Sequence, residues 1–254
     1  MSARSFSVLV RKELREQARS YRLLVLGLVF VFFGLASPLF AKFTPEILKM
    51  VGTDQGVTIV LPEPTVADAV AQYVKNVSQI ALLVLIFLTM GSVVTEKERG
   101  TAVFVLVKPT SRGSFLAAKL AVLWISATGA LTLSAFCAYA YTAVLFRPIG
   151  AIAFALANLA LLLHVLAFVT TTFFFSALVR SQAVAGVLSF LVWILLASLS
   201  GLGYASEFLP GRLISAAMAS AFGAPLPWEP LAGCAAIVLL AVSGAVVAFR
   251  RWEP

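Results

Sequence analysis

The stretch that decides the fold runs from Pro148 to Val179: PIGAIAFALANLALLLHVLAFVTTTFFFSALV. It holds no charged residue, and it exceeds the roughly 20 apolar residues that cross a bilayer as a helix. Further uncharged stretches lie at Leu23–Ala41, Asn76–Thr95, Leu120–Phe146, Ser181–Ser206 and Leu231–Phe249. A shorter one, Leu213–Trp228, carries Gly223, Pro225 and Pro227 and reads as an interfacial or re-entrant segment. Six spans are therefore predicted, at about 23–41, 76–95, 120–146, 149–178, 182–205 and 231–249. The class is an all-α polytopic membrane protein.

Composition agrees. Of 254 residues, 61% are hydrophobic and 12% charged, and the mean hydropathy is +1.01. A soluble domain has roughly 45–50% apolar and about 25% charged residues. Disorder and an ordinary soluble enzyme are both excluded. Cys137 and Cys234 lie in apolar runs and read as core residues. One histidine cannot build a transition-metal cluster. The net charge of +8 reflects topology and not nucleic acid. Six spans place both termini on one side, and that side holds 14 of the 19 basic residues. The positive-inside rule then makes both termini cytoplasmic.

Residues 1–22 lack a cleavage site and are expected to form a cytoplasmic amphipathic helix, ahead of a single transmembrane domain over 23–254. Phe6, Val10, Leu14, Ala18 and Tyr21 share one face, while Arg11, Arg15, Arg19 and Arg22 form a stripe on another. Two readings stand: a topology anchor, or an elbow that slides when the bundle moves. The outer loop spans 42–75. Within it Thr65 and Asp68 have capping-box spacing, which predicts a helix running from Thr65 straight through span two. A second outer segment covers 207–230.

The loop between spans two and three, 96–119, has three parts. A charged turn, Glu96-Lys97-Glu98-Arg99-Gly100-Thr101, ends span two. A brief apolar piece, Val103–Val107, is too short to cross. Lys108-Pro109 then stops it. Such a peg suits either docking to a soluble partner or burial in the interface. This stretch, with Pro109, Ser111, Arg112, Phe115, Leu116 and Lys119, resembles the ABC-2 family of ABC-transporter permease subunits. The six spans, the amphipathic N-terminus and the large first outer loop agree with that family. Its compact prokaryotic members include copper-enzyme-maturation and sodium or drug efflux permeases.

The resemblance implies an exporter subunit of the plasma membrane, without an ATPase of its own, that pairs with a separate ABC ATPase in two copies. The sequence contains no Gly-Lys dipeptide, hence no phosphate-binding loop. No cofactor is expected on this chain, and ATP and magnesium belong to the partner. By analogy 96–119 is the coupling loop. Val103, Phe104 and Leu106 form its peg, Glu96, Glu98, Arg99 and Thr101 its polar base, Gly100 its turn, and Pro109 its end. Two permease copies, identical or paralogous, would pair around a two-fold axis. Small residues make span five a candidate interface, notably Gly186, Ser189 and Gly201; ordinary packing within one subunit explains them equally.

Polar residues at membrane depth are few. Asn158, His164 and Thr171 are candidates for a translocation pathway, and a lone histidine is also accounted for by a hydrogen bond to a neighbour. No span core holds an acidic residue, which disfavours a proton- or sodium-coupled carrier. No catalytic constellation is visible. A stand-alone secondary transporter and a membrane scaffold without an ATPase are the alternatives.

Overall fold

The computed structural model describes residues 3–54, 62–101, 111–201 and 204–252, and no strand occurs among them. Six helices are long and apolar enough to cross a membrane, as the sequence predicts: Arg22–Met50, Val66–Glu98, Arg112–Leu145, Ala151–Leu178, Gln182–Leu199 and Trp228–Arg250. They are spans one to six. An N-terminal helix, Ala3–Arg19, precedes them. The chain turns into span one at Tyr21, whose φ of 59° is left-handed.

The helices outrun the uncharged stretches, which corrects several boundaries. The helix of span one continues to Asp54 despite Pro38 and Pro45, so much of the supposed outer loop 42–75 is helical. Span three begins at Arg112, capped by the Ser111 hydroxyl, which accepts from the Ser114 N–H at 3.2 Å. Residues 112–119 of the loop 96–119 are thus its first turns. Span five ends at Leu199 and not near 205. A charge marks where a side chain leaves the hydrocarbon, and backbone hydrogen bonding continues past that point.

The Thr65 cap is present. Its N–H and hydroxyl both donate to the Asp68 carboxylate, at 2.8 and 2.7 Å. The predicted uninterrupted helix is not. Val77–Ala81 forms a π-helical turn, and residues 90–93 break the helix before the short piece Val94–Glu98. Asn76, at the edge of the π turn, donates to the Ser37 hydroxyl of span one at 2.9 Å. Such turns absorb an extra residue where a side chain must point elsewhere.

Span four is the hub. It packs against spans two, three, five and six and against the short helix Arg212–Ser220. Its Leu161, Val165, Val169 and Phe173 are fully enclosed. Lipid tails supply no hydrophobic drive between helices, so close approach matters. Gly34 allows it between spans one and three, where a methyl group would strike the Ser134 carbonyl, and the Ser134 hydroxyl donates to the Phe30 carbonyl at 2.6 Å. Arg212–Ser220 has nine residues, a rise of about 13 Å, too little to cross. It packs inward through Leu213 and Ala217.

Candidate functional site

Residues from five elements meet at the end of the bundle that carries both termini, here called the basic end. The break at 90–93 starts it. Released from helical bonding, the N–H groups of Val93 and Val94 both donate to the Ser176 hydroxyl of span four, at 3.0 and 3.1 Å. One turn later Lys97 Nζ donates to the carbonyls of Ala177 (2.8 Å) and Val179 (2.9 Å), where span four ends. A cation suits carbonyls left without N–H partners at a helix C-terminus. The Thr95 hydroxyl lies 3.4 Å from the Gln182 side-chain oxygen at the start of span five. Gly100 then turns the chain at φ +69°, a conformation that glycine adopts without steric cost.

Glu96, held in place by this piece, faces Lys119 of span three. Lys119 is buried, 4% exposed. Its ammonium donates to Glu96 Oε1 and to Glu13 Oε2 of the N-terminal helix, each at 2.8 Å. Lys12 donates to Glu13 Oε1 at 2.9 Å and to Glu96 Oε1 at 3.2 Å, and pairs with Glu16 at 3.4 Å. The Ser126 hydroxyl donates to the Gln17 side chain at 2.7 Å. One carboxylate oxygen of Glu96 is thus shared by two lysines from two elements, while its other oxygen is buried without a partner among the described residues. A cavity of about 450 Å³ lies beside the cluster, bordered also by Arg22 and Arg99.

Electrostatics keep Glu13 and Lys12 charged. Burial pushes the Glu13 carboxyl up, but Lys119, by charge and hydrogen bond, and then Lys12 outweigh it and hold its pKa below the ordinary value. Burial pulls the Lys12 ammonium down, yet the hydrogen bond to Glu13 and the charges of Glu13, Glu96 and Glu16 raise its pKa above the usual lysine value. Glu13, Glu16 and Glu96 each bring one oxygen within 4.8 Å of the others. Lys12 and Lys119 lie among these carboxylates and pair with them, which makes the trio part of an ion-pair junction.

A second clamp closes the other end of the loop. Arg112 Nη1 lies 2.8 Å from the Arg250 carbonyl, 3.3 Å from that of Trp252 and 3.5 Å from that of Phe249. Phe115 stacks on Phe249 with centroids 5.5 Å apart, and Phe249 on Trp252 at 5.6 Å.

Of the sequence candidates, Glu96 and Gly100 lie in this junction, Glu98 and Arg99 are exposed, and the Thr101 hydroxyl faces the Glu96 carbonyl at 3.4 Å. Val103, Phe104, Leu106 and Pro109 fall outside the described residues. Asn158 accepts from the Tyr73 hydroxyl at 2.7 Å and borders an apolar groove of about 440 Å³. His164 is buried, with Nδ1 2.9 Å from the Pro210 carbonyl. Thr171 is buried and donates back to Ala167 at 2.8 Å. The Thr171 hydroxyl and His164 Nδ1 are thus used within the subunit, while His164 Nε2 is buried without a partner among the described residues. Gly186 faces Met90 of span two, and Ser189 is buried on the same side. The exposed face of span five carries Val184, Val187, Leu191 and Leu195 instead, while Gly201 is exposed beyond its end.

Sequence reasoning missed Lys12 and Lys97, and above all Glu13. The signal was there: seven residues after Phe6 and three after Val10, it is an acid on the apolar face of an amphipathic helix. Its partner stands 106 positions away.

Fold and junction together define a multi-pass helical membrane protein whose loop base is locked to an N-terminal helix. The family model for the ABC-2 family of transporter proteins matches residues 7–208, and the chain belongs to that family. It is also 25% identical over 112 residues to an uncharacterized transmembrane protein, YxlG, of Bacillus subtilis (strain 168). That match covers 44% of this chain and 43% of the relative, so the chain spans less than half of the relative's length.

Proposed function

We propose that this chain is the permease subunit of an ATP-binding-cassette exporter, working with a separate ATPase. Its basic end faces the cytoplasm. The loop after Glu96 docks on the ATPase, and two permease copies, identical or paralogous, enclose the path. ATP and magnesium are bound by the partner, and this chain carries no hydrolytic site. The observation that carries the reading is the shared Glu96 oxygen. Through Lys119 and Lys12, the base of the loop, span three and the N-terminal helix form one unit. A push on the loop therefore reaches spans one, two and three together. Family membership supports the division of labour.

Co-purification with a co-expressed ABC ATPase from the same genome tests the proposal, comparing wild type with Phe104→Asp. A charge forced into a dry groove costs several kcal/mol. Wild type should yield a stable complex with ATPase activity, and Phe104→Asp should insert normally and lose the partner. A wild type that captures no ATPase, or a variant that binds equally well, rejects the reading and favours a stand-alone carrier or scaffold.

A further inference from the structure

We infer that Arg112 is a positioning residue that ties the far side of the coupling loop to span six, so that loop displacement is delivered to the last transmembrane helix. The inference rests on the coupling role proposed for the loop. Its observations are separate from the Glu96 junction.

Each flank of the loop carries a cation on the carbonyls of a helix distant in sequence. Lys97 holds the end of span four, 80 to 82 positions on. Arg112 holds the end of span six, 137 to 140 positions on. The Phe249 carbonyl also accepts from the Trp252 N–H at 3.4 Å, but carbonyls at a helix C-terminus are generally short of N–H partners, and a guanidinium satisfies them with charge-assisted bonds. The stacked rings of Phe115, Phe249 and Trp252 hold the same joint by contact.

What lies above the joint makes it a link and not plain packing. Over the next turns spans three and six part around an apolar gap of about 210 Å³, bordered by Leu116, Leu120 and Trp124 on one side and by Val242, Ala245 and Val246 on the other. Span six otherwise lies along span four, and only a small share of its apolar stretch is enclosed. Motion entering at Ser111 thus has a polar handle on span six where side-chain packing between spans three and six is open. With Lys97 on span four, the loop grips two helices that do not adjoin it in the chain.

Amide hydrogen exchange on the permease–ATPase complex in lipid nanodiscs, with and without ATP plus vanadate, is the test. In wild type, vanadate trapping should change exchange both at 94–101 and at 246–252. In Arg112→Gln, exchange at 246–252 should rise about tenfold, the size of one charge-assisted hydrogen bond, and lose its response to trapping, while 94–101 still responds. Arg112→Lys, which keeps the charge without the fork, should retain part of the response and serves if the glutamine variant fails to insert. A trapping response at 246–252 that survives Arg112→Gln overturns the inference. So does a wild type in which 94–101 responds and 246–252 does not. If no complex forms, or neither segment of wild type responds, the coupling reading itself fails and takes the inference with it.

Discussion

At the basic end, Lys12, Lys97, Arg112 and Lys119 reach between elements with full charges. At the far end, Tyr73, Asn76 and His164 do so with neutral hydrogen bonds, to Asn158, Ser37 and the Pro210 carbonyl, and one cation, Lys42 of span one, reaches the Leu145 carbonyl of span three at 3.3 Å. The difference follows from the surroundings. The basic end borders a polar cavity, where an ion pair can break and find water. The far-end contacts sit among apolar side chains, where an unpaired polar group has no substitute partner. Charged joints beside water can exchange partners during a working cycle, whereas neutral joints in hydrocarbon keep one arrangement. The far end reads as the fixed frame and the basic end as the part that rearranges.

The largest expected effect tests the frame. A methyl group on Gly233 would collide with the backbone carbonyl of Phe208, so Gly233→Ala should abolish a monodisperse protein in size-exclusion chromatography. A normal elution profile would mean that the segment before span six is not fixed. Next is the junction. Lys119→Met leaves Glu13 and Glu96 buried with only Lys12 to share, and should cost about 3 kcal/mol in a denaturant titration. Adding Glu13→Gln should recover part of that loss, and a purely additive pair would show that the two side chains do not interact.

The junction should also respond to pH. The Glu13 pKa is lowered in the folded state, so its contribution is present above the ordinary glutamate value and lost as pH falls through the lower one. The Lys12 pKa is raised, so its contribution is present below the ordinary lysine value and lost as pH rises through the higher one. A spin label at exposed Arg15 should stay immobile between those limits and loosen in acid first. Glu13→Gln should remove the acid step. Smaller is Tyr73→Phe, which deletes one intramembrane hydrogen bond and should cost about 1 kcal/mol of thermal stability. The smallest is Tyr21→Asn at the left-handed joint, which should stabilise by less than about 1 kcal/mol because asparagine tolerates that conformation better.

Spans and caps were legible because their signals are local. Hydropathy is read along one line, and Thr65 finds Asp68 three residues on. The interruption of span two was not legible, since Val77–Ala81, with Ser78 and Gln79 between apolar residues, looks like any helical turn. Nor were the clamps. Lys97 and Arg112 bind backbone carbonyls, which every residue carries, so no partner residue type marks them. His164 shows the converse: its unremarkable reading, a hydrogen bond to a neighbour, matches its contact with Pro210.

Span five has 18 residues, a length of about 27 Å, while spans one to four run from 28 to 34. The hydrocarbon core averages about 30 Å. Span five falls about 3 Å short of that thickness, and its outward face is bare valine and leucine. Lipid beside it must thin locally, at a cost of fractions of a kcal/mol per Å. Acyl-chain length thereby becomes a control on this one helix: longer chains deepen the mismatch there first and favour whatever shields that flank from lipid.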